Sequence, residues 1–174
     1  MKEITLWPLV QSGNDWSVPD KLLIDMWYDF LEPDRYKMTF WDGTVKTAHE
    51  WIDYVKSPYN YIVFGVSTGE EKFLGMGWLS NFQHGTAEAH FCYFDKYIPG
   101  GGEKIIDFWE KTLPLKVIYG YVPKTHIIAL KLLQRWGFKT IGIVPEFCDM
   151  AYKNTREGAV VTYRLMEEKD EVPI

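Results

Sequence analysis

The sequence has few cysteines and no long apolar run. Its two cysteines, Cys92 and Cys148, form no CxxC pair, which excludes the common zinc and dithiol redox motifs and predicts two thiols packed in a core. No apolar stretch approaches the roughly 20 residues that span a bilayer, and residues 1–10 lack the apolar core and cleavage site of a signal peptide. We therefore expect a cytoplasmic protein with no membrane partner and no bound metal.

Positive charge is also scarce. The 19 Lys and Arg residues are outnumbered by 24 Asp and Glu residues, the formal net charge is -5, and there is no basic run. A phosphate-backbone partner normally requires clustered Lys and Arg side chains, so we do not expect nucleic acid binding. The length of 174 residues, 47% of them hydrophobic, predicts one globular domain over residues 1–174 with a charged tail from about residue 167.

Four segments have the apolar spacing of amphipathic helices. The second opens at Thr47 and Glu50, which have the spacing of a capping box, and the third follows a run of glycines at 100–102. The fourth is predicted to be capped by Thr125 and closed by Gly137. The apolar face of the first helix comprises Leu22, Leu23, Met26, Trp27 and Phe30, and the buried candidates of the fourth are Ile127, Ile128, Leu130, Leu132 and Leu133.

Apolar runs bounded by turn residues predict the strands. They cover residues 4–10, 61–66, 73–82, 86–94, 116–122, 138–144 and 158–166. The second, third and fourth follow one another across short turns, which predicts an antiparallel meander. The element order is β-α-α-β-β-β-α-β-α-β-β.

The stretch YIPGGGEKII, residues 97–106, places three glycines where strand passes to helix. Bare backbone N–H groups beside a helix N-terminus can hold a phosphate without a cationic side chain. Neither of two common phosphate loops fits, because the Gly-Lys-Ser/Thr of a P-loop is absent and Ile105 stands where a GxGxxG fingerprint needs glycine. Lys104 either adds a charge contact to a phosphate or is a solvated surface lysine.

Two short motifs in this order of elements resemble the GNAT (Gcn5-related N-acetyltransferase) superfamily. Residues 97–102 resemble its Gln/Arg-x-x-Gly-x-Gly/Ala pyrophosphate signature, although Tyr97 replaces the Gln or Arg. Residues 126–138 resemble its N-x-x-A-x-x-L-(Y)-x-x-x-G-F segment, with His126 in place of Asn and Leu133 in place of the frequent Tyr. The matching positions are Ala129, Leu132, Gly137 and Phe138.

The resemblance implies an α+β fold of three layers (α/β/α), with a mostly antiparallel mixed sheet of about seven strands and about four helices. It implies transfer of an acetyl group from acetyl-CoA to the primary amine of a small molecule or peptide, by direct attack in a ternary complex. The cofactor would contact the main chain near His90 and Cys92, where the fourth and fifth strands separate. It would also contact His126. It would also meet the glycine loop at Gly100, Gly101, Gly102, Glu103 and Lys104. A homodimer is common among relatives.

Side chains alternate along the predicted strand 86–94, which places Glu88 and His90 on one face. These two residues are therefore the candidates for the base that removes a proton from the amine. The alternative is an exposed glutamate and a core histidine. Leu133 cannot protonate a departing thiolate as the family's Tyr does. Three outcomes stay open: unaided release of the thiolate, another donor such as Tyr121 or Tyr97, or a CoA- or protein-binding module without catalysis.

Aromatic and acidic side chains are concentrated in two predicted loops, 32–43 and 145–158. Aromatic walls beside carboxylates suit a cationic amine, which predicts an acceptor pocket here; alternatively, the aromatics belong to the core. The residues concerned are Tyr36, Phe40, Trp41, Phe147, Tyr152, Asp34, Asp42, Glu146 and Asp149.

Overall fold

The computed structural model describes residues 3–13, 15–31, 35–68, 72–94 and 100–166. The helices are α1 (Asp20–Leu31), α2 (Arg35–Thr39), α3 (Ala48–Val55), α4 (Gly101–Thr112) and α5 (Ile127–Arg135). The strands are β1 (Ile4–Pro8), β2 (Gln11–Ser12), β3 (Asp15–Trp16), β4 (Tyr61–Ser67), β5 (Lys72–Gln83), β6 (Thr86–Tyr93), β7 (Val117–Pro123), β8 (Lys139–Met150) and β9 (Thr155–Leu165). No helix in the described ranges combines the length and apolar character needed to cross a membrane.

Seven strands form one sheet in the order β1-β4-β5-β6-β7-β9-β8, and β2 and β3 form a small separate hairpin. Every neighbouring pair in the large sheet is antiparallel except β6 and β7, which are parallel. The predicted meander is confirmed as β4-β5-β6, and the predicted mixed sheet of about seven strands is confirmed.

Two hydrophobic clusters lie on opposite faces of this sheet. On β4, Ile62 and Phe64 join the cluster beneath α1, α2 and α3, whereas Val63 between them joins the cluster beneath α4 and α5. Because side chains alternate along a strand, this division identifies the two faces and confirms the three-layer arrangement. Fully buried tryptophans fill both clusters, among them Trp51 on the first side and Trp109 on the second.

Local sequence signals explain α1 and α3, but not α2. The capping box is confirmed, since Thr47 Oγ1 accepts from the Glu50 N–H at 3.2 Å and Glu50 Oε2 accepts from the Thr47 N–H at 3.0 Å. The predicted α1 face is buried at four of its five positions, and Leu22 is half-buried. The short helix α2 was not predicted, because it lies within the turn-rich segment 32–43 that was assigned to a loop.

The prediction for α5 was wrong in two respects. The N-cap is His126, and the Thr125 hydroxyl instead donates to Glu157 Oε2 at 2.6 Å. Ile127 and Ile128 are 52% and 72% exposed, although their apolar character predicted burial. The buried end of the helix is its C-terminal half, where Leu133 and then Trp136 reach the core.

The predicted loop 145–158 is largely a β-hairpin. Strand β8 continues to Met150 and pairs with β9 from Thr155, so only residues 151–154 form the turn. A register shift between Val144 and Cys148 and a positive φ of 50° at Glu146 mark a bulge. The sequence did not predict that the strand continues, because Pro145 and Glu146 interrupt it and proline normally ends a strand or marks a bulge.

Candidate active-site cleft

The strands β6 and β7 separate halfway along their length. Their parallel pairing runs from Thr86 and Val117 to Glu88 and Tyr119 and then ends. Beyond that point β6 remains paired with β5 as far as Tyr93, and β7 remains paired with β9 as far as Pro123. The sheet is therefore open between residues 89–93 and 120–123.

Ala89 and Phe91 turn their main-chain groups toward this opening. The Phe94 N–H donates to the Leu74 carbonyl of β5 at 3.0 Å, and alternation places the main chains of His90 and Cys92 on β5 as well. The main chain of Gly85, which is an odd number of residues from His90, faces β7 instead, and its carbonyl accepts from the Lys116 N–H at 2.7 Å. The main-chain groups of His90 and Cys92 are therefore directed toward β5, and those of Ala89 and Phe91 toward the opening. Contacts between a cofactor and the main chain near His90 and Cys92 stay a prediction.

A cavity of about 450 Å³ occupies the opening. Its floor includes Leu132, Leu133 and Trp136, on and just after α5, and its opposite wall includes Trp41 and Trp78. The side chains of His90, Cys92, Tyr121 and His126 also contribute to its lining. The cavity lies in the range of volumes that small-molecule sites occupy.

The glycine loop forms the N-terminus of α4. Gly100 is the N-cap, with a left-handed φ of 85°, and its carbonyl accepts from the Lys104 N–H at 3.1 Å. The N–H groups of Gly101, Gly102 and Glu103 precede this first helical bond, so they have no partner within the helix. Such N–H groups with the helix dipole behind them form an anion site.

Packing also requires a glycine at position 102, which the sequence alone does not show. A Cβ atom on Gly102 would lie 2.2 Å from the Trp136 ring, whereas on Gly101 it would lie 3.7 Å from the nearest atom, in Ile4. The Trp136 ring also lies 4.9 Å from the ring of Phe91. Close packing of α4 against Trp136 therefore requires Gly102 whether or not an anion binds.

The other residues predicted around the cofactor have mixed positions. The Lys104 ammonium donates to the Ile4 carbonyl at 3.2 Å, and the residue is exposed. Glu103 has one carboxylate oxygen buried without a hydrogen-bond partner among the described residues. His126 makes no side-chain capping bond, and burial is the largest of the effects that lower its pKa, followed by Lys153. Its imidazole is thus available to the cleft.

Glu88 and His90 lie together on one face of β6, as predicted. The Nε2 atom of His90 is 3.6 Å from Glu88 Oε1 and 3.0 Å from the Ser80 hydroxyl. The imidazole also stacks on Trp78, with ring centres 4.8 Å apart and planes 10° apart. Glu88 Oε2 accepts from the Asn81 amide at 2.7 Å. His90 lines the cavity, and its contact with Glu88 is made through Nε2.

Burial controls the charge of this pair. It lowers the pKa of His90 to about 4, against a smaller opposing effect of the Asp42 carboxylate. It raises the pKa of Glu88, and the hydrogen bond from Asn81 partly counters the increase. His90 is therefore neutral at pH 7 and can accept a proton. The buried Cys92 thiol has a raised pKa for the same reason, which disfavours a thiolate nucleophile.

Leu133, at the position where the resemblance implies the family's Tyr, is 8% exposed and borders the cavity. Tyr121, one of the two alternative donors, borders the cavity as well, where it stacks on Phe147 at 4.7 Å. Tyr97, the other, lies outside the described residues, as does Asp34 of the predicted acceptor pocket.

The aromatics predicted around the acceptor divide between pocket and core. Trp41 borders the cavity, whereas Phe40 is 4% exposed and packs in the core. Tyr36 and Tyr152 contact each other edge to face at 5.6 Å. The Asp42 carboxylate accepts from both the N–H and the hydroxyl of Thr44, so its hydrogen bonds stay within its own turn.

Sequence reasoning missed four residues at this site: Ser80, Asn81, Arg35 and Trp136. The Ser-Asn pair inside the apolar strand 73–82 was the available signal for the first two, since such residues in a strand often mark a bulge. Arg35, whose guanidinium donates to the Phe94 carbonyl, and Trp136 gave no local signal. Their positions depend on packing between distant elements. In the described part of the chain, no three His, Cys, Asp or Glu side chains are grouped as metal ligands.

No protein-family model and no curated protein matches the chain. Several solved structures do match, at low sequence identity. An acetyltransferase of the GNAT family from Bacillus anthracis has a TM-score of 0.72 at 14% identity, over 97% of this chain and 98% of the other. A ribosomal-protein-S5-alanine acetyltransferase from Vibrio fischeri has a TM-score of 0.69 at 13% identity, over 93% and 98%.

A third match is a spermidine N-acetyltransferase from Vibrio cholerae, solved in complex with CoA and spermine. Its TM-score is 0.67 at 14% identity, over 94% of this chain and 95% of the other. At such identities these matches show a shared fold. The chain has the fold of the GNAT acetyltransferases, as the two sequence motifs predicted.

Proposed function

We propose that this chain is a cytoplasmic N-acetyltransferase that transfers an acetyl group from acetyl-CoA to a primary amine. The observation that carries the proposal is the separation of β6 from β7 beyond Glu88 and Tyr119. It opens a cavity of about 450 Å³ within a sheet of the GNAT fold, and the main-chain groups of Ala89 and Phe91 are directed toward it. A neutral histidine lines the same cavity.

The residues present fit acetyl-CoA, in which an extended pantetheine arm joins the acyl group to a pyrophosphate. The main-chain groups of Ala89 and Phe91 can pair with the amides of a pantetheine arm as a strand would. The first-turn N–H groups from Gly101 to Glu103 suit its pyrophosphate. Acetyl-CoA supplies an activated thioester, whose carbonyl carbon an amine can attack.

His90 is the proposed general base. A primary amine with a pKa of about 10.4 is protonated at neutral pH, so it must lose protons before and during the attack. As the new C–N bond forms and the C–S bond breaks, the second amine proton passes to the neutral imidazole and the sulfur leaves as a thiolate. A thiol pKa near 8.5 makes the thiolate a tolerable leaving group without an acid at Leu133. Tyr121 is the alternative proton donor.

The acceptor is proposed to be the amine of a small molecule or a peptide. Structural neighbours are named for both classes, a spermidine acetyltransferase and an acetyltransferase of a ribosomal protein's alanine. Trp41 and Tyr121 supply flat apolar surfaces at the cavity wall. Such surfaces favour the aliphatic or aromatic body that carries the amine and attract its charge.

The competing function is a CoA-binding module without catalysis. Leu133 favours this function, because it stands where the family usually has a tyrosine and its side chain has no proton to donate. Both functions predict CoA binding, so turnover separates them.

The test is thiol release from acetyl-CoA with a panel of polyamines, amino acids and peptides, on wild type and His90→Gln. We expect one amine class to accelerate release, and loss of the base to reduce kcat/KM by about 10²-fold or more while CoA still binds. His49→Gln is the matched control, because His49 is a surface histidine whose side chain is 86% exposed. Binding of acetyl-CoA with no release for any amine would support the module instead.

A further inference from the structure

A bulge at the end of β5 places an amide on the carboxylate behind His90. The register of β5 against β6 shifts between Ser80 and Gln83, and Asn81 lies in this irregular segment. Its φ of 51° is in the left-handed region, which asparagine tolerates better than most residues but which remains uncommon. Uncommon backbone conformations that persist often serve a site.

The bulge changes what faces Glu88. In a regular strand the side chain after Ser80 would project to the opposite face of the sheet. Here the Asn81 amide instead donates to Glu88 Oε2 at 2.7 Å. The other carboxylate oxygen, Oε1, is then held 3.6 Å from His90 Nε2. One hydrogen bond thus orients the carboxylate toward the imidazole.

This geometry assigns the imidazole tautomer. An ionised carboxylate only accepts hydrogen bonds, and Ser80 Oγ can accept as well as donate. Both contact the same ring nitrogen, Nε2, at 3.6 Å and 3.0 Å. A proton on Nε2 is donated to Ser80 Oγ and lies on the side of the ring that faces the Glu88 carboxylate, so Nδ1 is left as the basic nitrogen.

We propose that Asn81 is a positioning residue, which acts through Glu88 to hold His90 in its basic tautomer with a counter-charge for the imidazolium. The proposal rests on the proposed function, because the proton that Nδ1 accepts comes from the acceptor amine. When it arrives, both ring nitrogens carry protons, and the Glu88 charge stabilises the cation. The orientation of Glu88 can be tested without any substrate.

Other groups act on this pair and must be held constant. Asp42 acts electrostatically on His90, and Glu88 acts on the phenols of Tyr54 and Tyr119. The Cys92 thiol, next but one on β6, has a raised pKa and stays neutral. None of these residues is changed in the test.

The variants are Asn81→Gly and Asn81→Asp. Glycine keeps the left-handed backbone and removes the amide, and aspartate also tolerates that backbone but turns the donor into a second carboxylate. The control is His84→Gly in the same β5–β6 hairpin, since His84 has a comparable φ of 48° and is exposed. All four proteins are titrated by NMR, following the Glu88 carboxyl carbon and the His90 ring, and assayed for kcat/KM against pH.

We expect Glu88 to titrate at higher pH in Asn81→Gly than in wild type, and higher still in Asn81→Asp. The acid limb of kcat/KM should move up with it, and kcat should fall roughly three- to tenfold, the equivalent of one ordinary hydrogen bond, with the KM for acetyl-CoA unchanged. His84→Gly should match wild type in both measurements. The shared glycine backbone separates this effect from a general loss of stability.

An unchanged Glu88 titration in both Asn81 variants would overturn the positioning role, whatever their activity. A shifted titration with an unshifted pH profile would overturn it too, because Glu88 would then have no influence on the base. If Glu88 shifts as expected while wild type acetylates no amine, the orientation of Glu88 stands and the proposed function fails. The two failures are therefore distinguishable.

Discussion

At the residue scale, neighbouring glycines in the loop before α4 have opposite surroundings. A Cβ atom on Gly102 would overlap the Trp136 ring at 2.2 Å, whereas one on Gly101 would reach Ile4 at an ordinary contact distance of 3.7 Å. We predict that Gly102→Ala destabilises the protein by about 1–3 kcal/mol through overpacking. Gly101→Ala should be neutral or stabilising by up to about 1 kcal/mol, because alanine restricts the unfolded chain.

Urea unfolding of the two variants beside wild type measures this difference. Equal destabilisation by both substitutions would contradict it and would show that the whole loop, rather than Trp136, demands bare backbone. Full tolerance of Gly102→Ala would mean that the Trp136 ring has room to move. The indole N–H of Trp136 has no partner among the described residues, so no hydrogen bond to them holds the ring in place.

His90 predicts how stability depends on pH. Burial lowers its folded-state pKa to about 4, below the value of about 6.5 expected in the unfolded chain. Between these values the unfolded state binds more protons, so the free energy of unfolding rises with pH and is lost as pH falls from about 6.5 toward 4. The ceiling is about 1.4 kcal/mol per pH unit, and we expect about 1–2 kcal/mol in total because the ring is partly exposed.

The measurement compares wild type with His90→Gln by urea unfolding at pH 7, 6 and 5. The free energy of unfolding of wild type should exceed that of His90→Gln by less as pH falls. This difference isolates the contribution of His90, because Glu88 is present in both proteins. Burial raises the pKa of Glu88, so its own contribution decreases as pH rises through that range, with the opposite sign. A parallel pH dependence in the two proteins would mean that His90 titrates normally.

At the element scale, two threonines near helix starts were both predicted to be caps, but only one is. Thr47 completes a capping box with Glu50, whereas the exposed hydroxyl of Thr125 bonds to Glu157 instead. We predict that Thr47→Ala costs about 1 kcal/mol of stability and Thr125→Ala a few tenths, since an isolated exposed bond contributes little. Equal losses in a urea titration would show that Thr125 also supports its helix.

The same contrast explains which elements could be predicted. Thr47 was identified because a capping box is a local signal in which two side chains satisfy each other's backbone donors. The start of α5 instead combines a local turn, in which the His126 N–H donates to the Pro123 carbonyl, with a tertiary contact between Thr125 and Glu157 on β9. Ile128 borders the cavity, and the position of the cavity is a tertiary feature that the spacing of apolar residues does not report.

At the scale of the whole molecule, the order of the elements together with the glycine loop and the second motif predicted the fold. The shared face of Glu88 and His90 was also predictable, since the two residues have the same parity on one strand. Their contacts with Ser80 and Asn81 were not predictable, because they depend on a strand register and a bulge. Trp136 and Gly102 come together only when α4 and α5 pack on the sheet.

Binding of the acetyl-CoA pyrophosphate at the N-terminus of α4 should stabilise the whole chain. At 100 times its dissociation constant, acetyl-CoA should add about 2.7 kcal/mol to the free energy of unfolding and raise Tm by several degrees. We predict that Gly100→Asp abolishes this shift and Gly100→Asn largely keeps it. The two side chains have the same shape, both tolerate the left-handed backbone of Gly100, and a Cβ there meets no atom of the described residues within 4 Å.

Only charge separates the two variants, so a thermal-shift titration with acetyl-CoA, CoA, ATP and NAD reads the electrostatics of the loop directly. Equal loss in Gly100→Asp and Gly100→Asn would point to steric blocking rather than to an anion site. Stabilisation by ATP or NAD but by neither CoA species would assign the loop to nucleotides. No response to any of the four ligands would leave Gly102 with its packing role alone, because Trp136 requires a glycine there without a ligand.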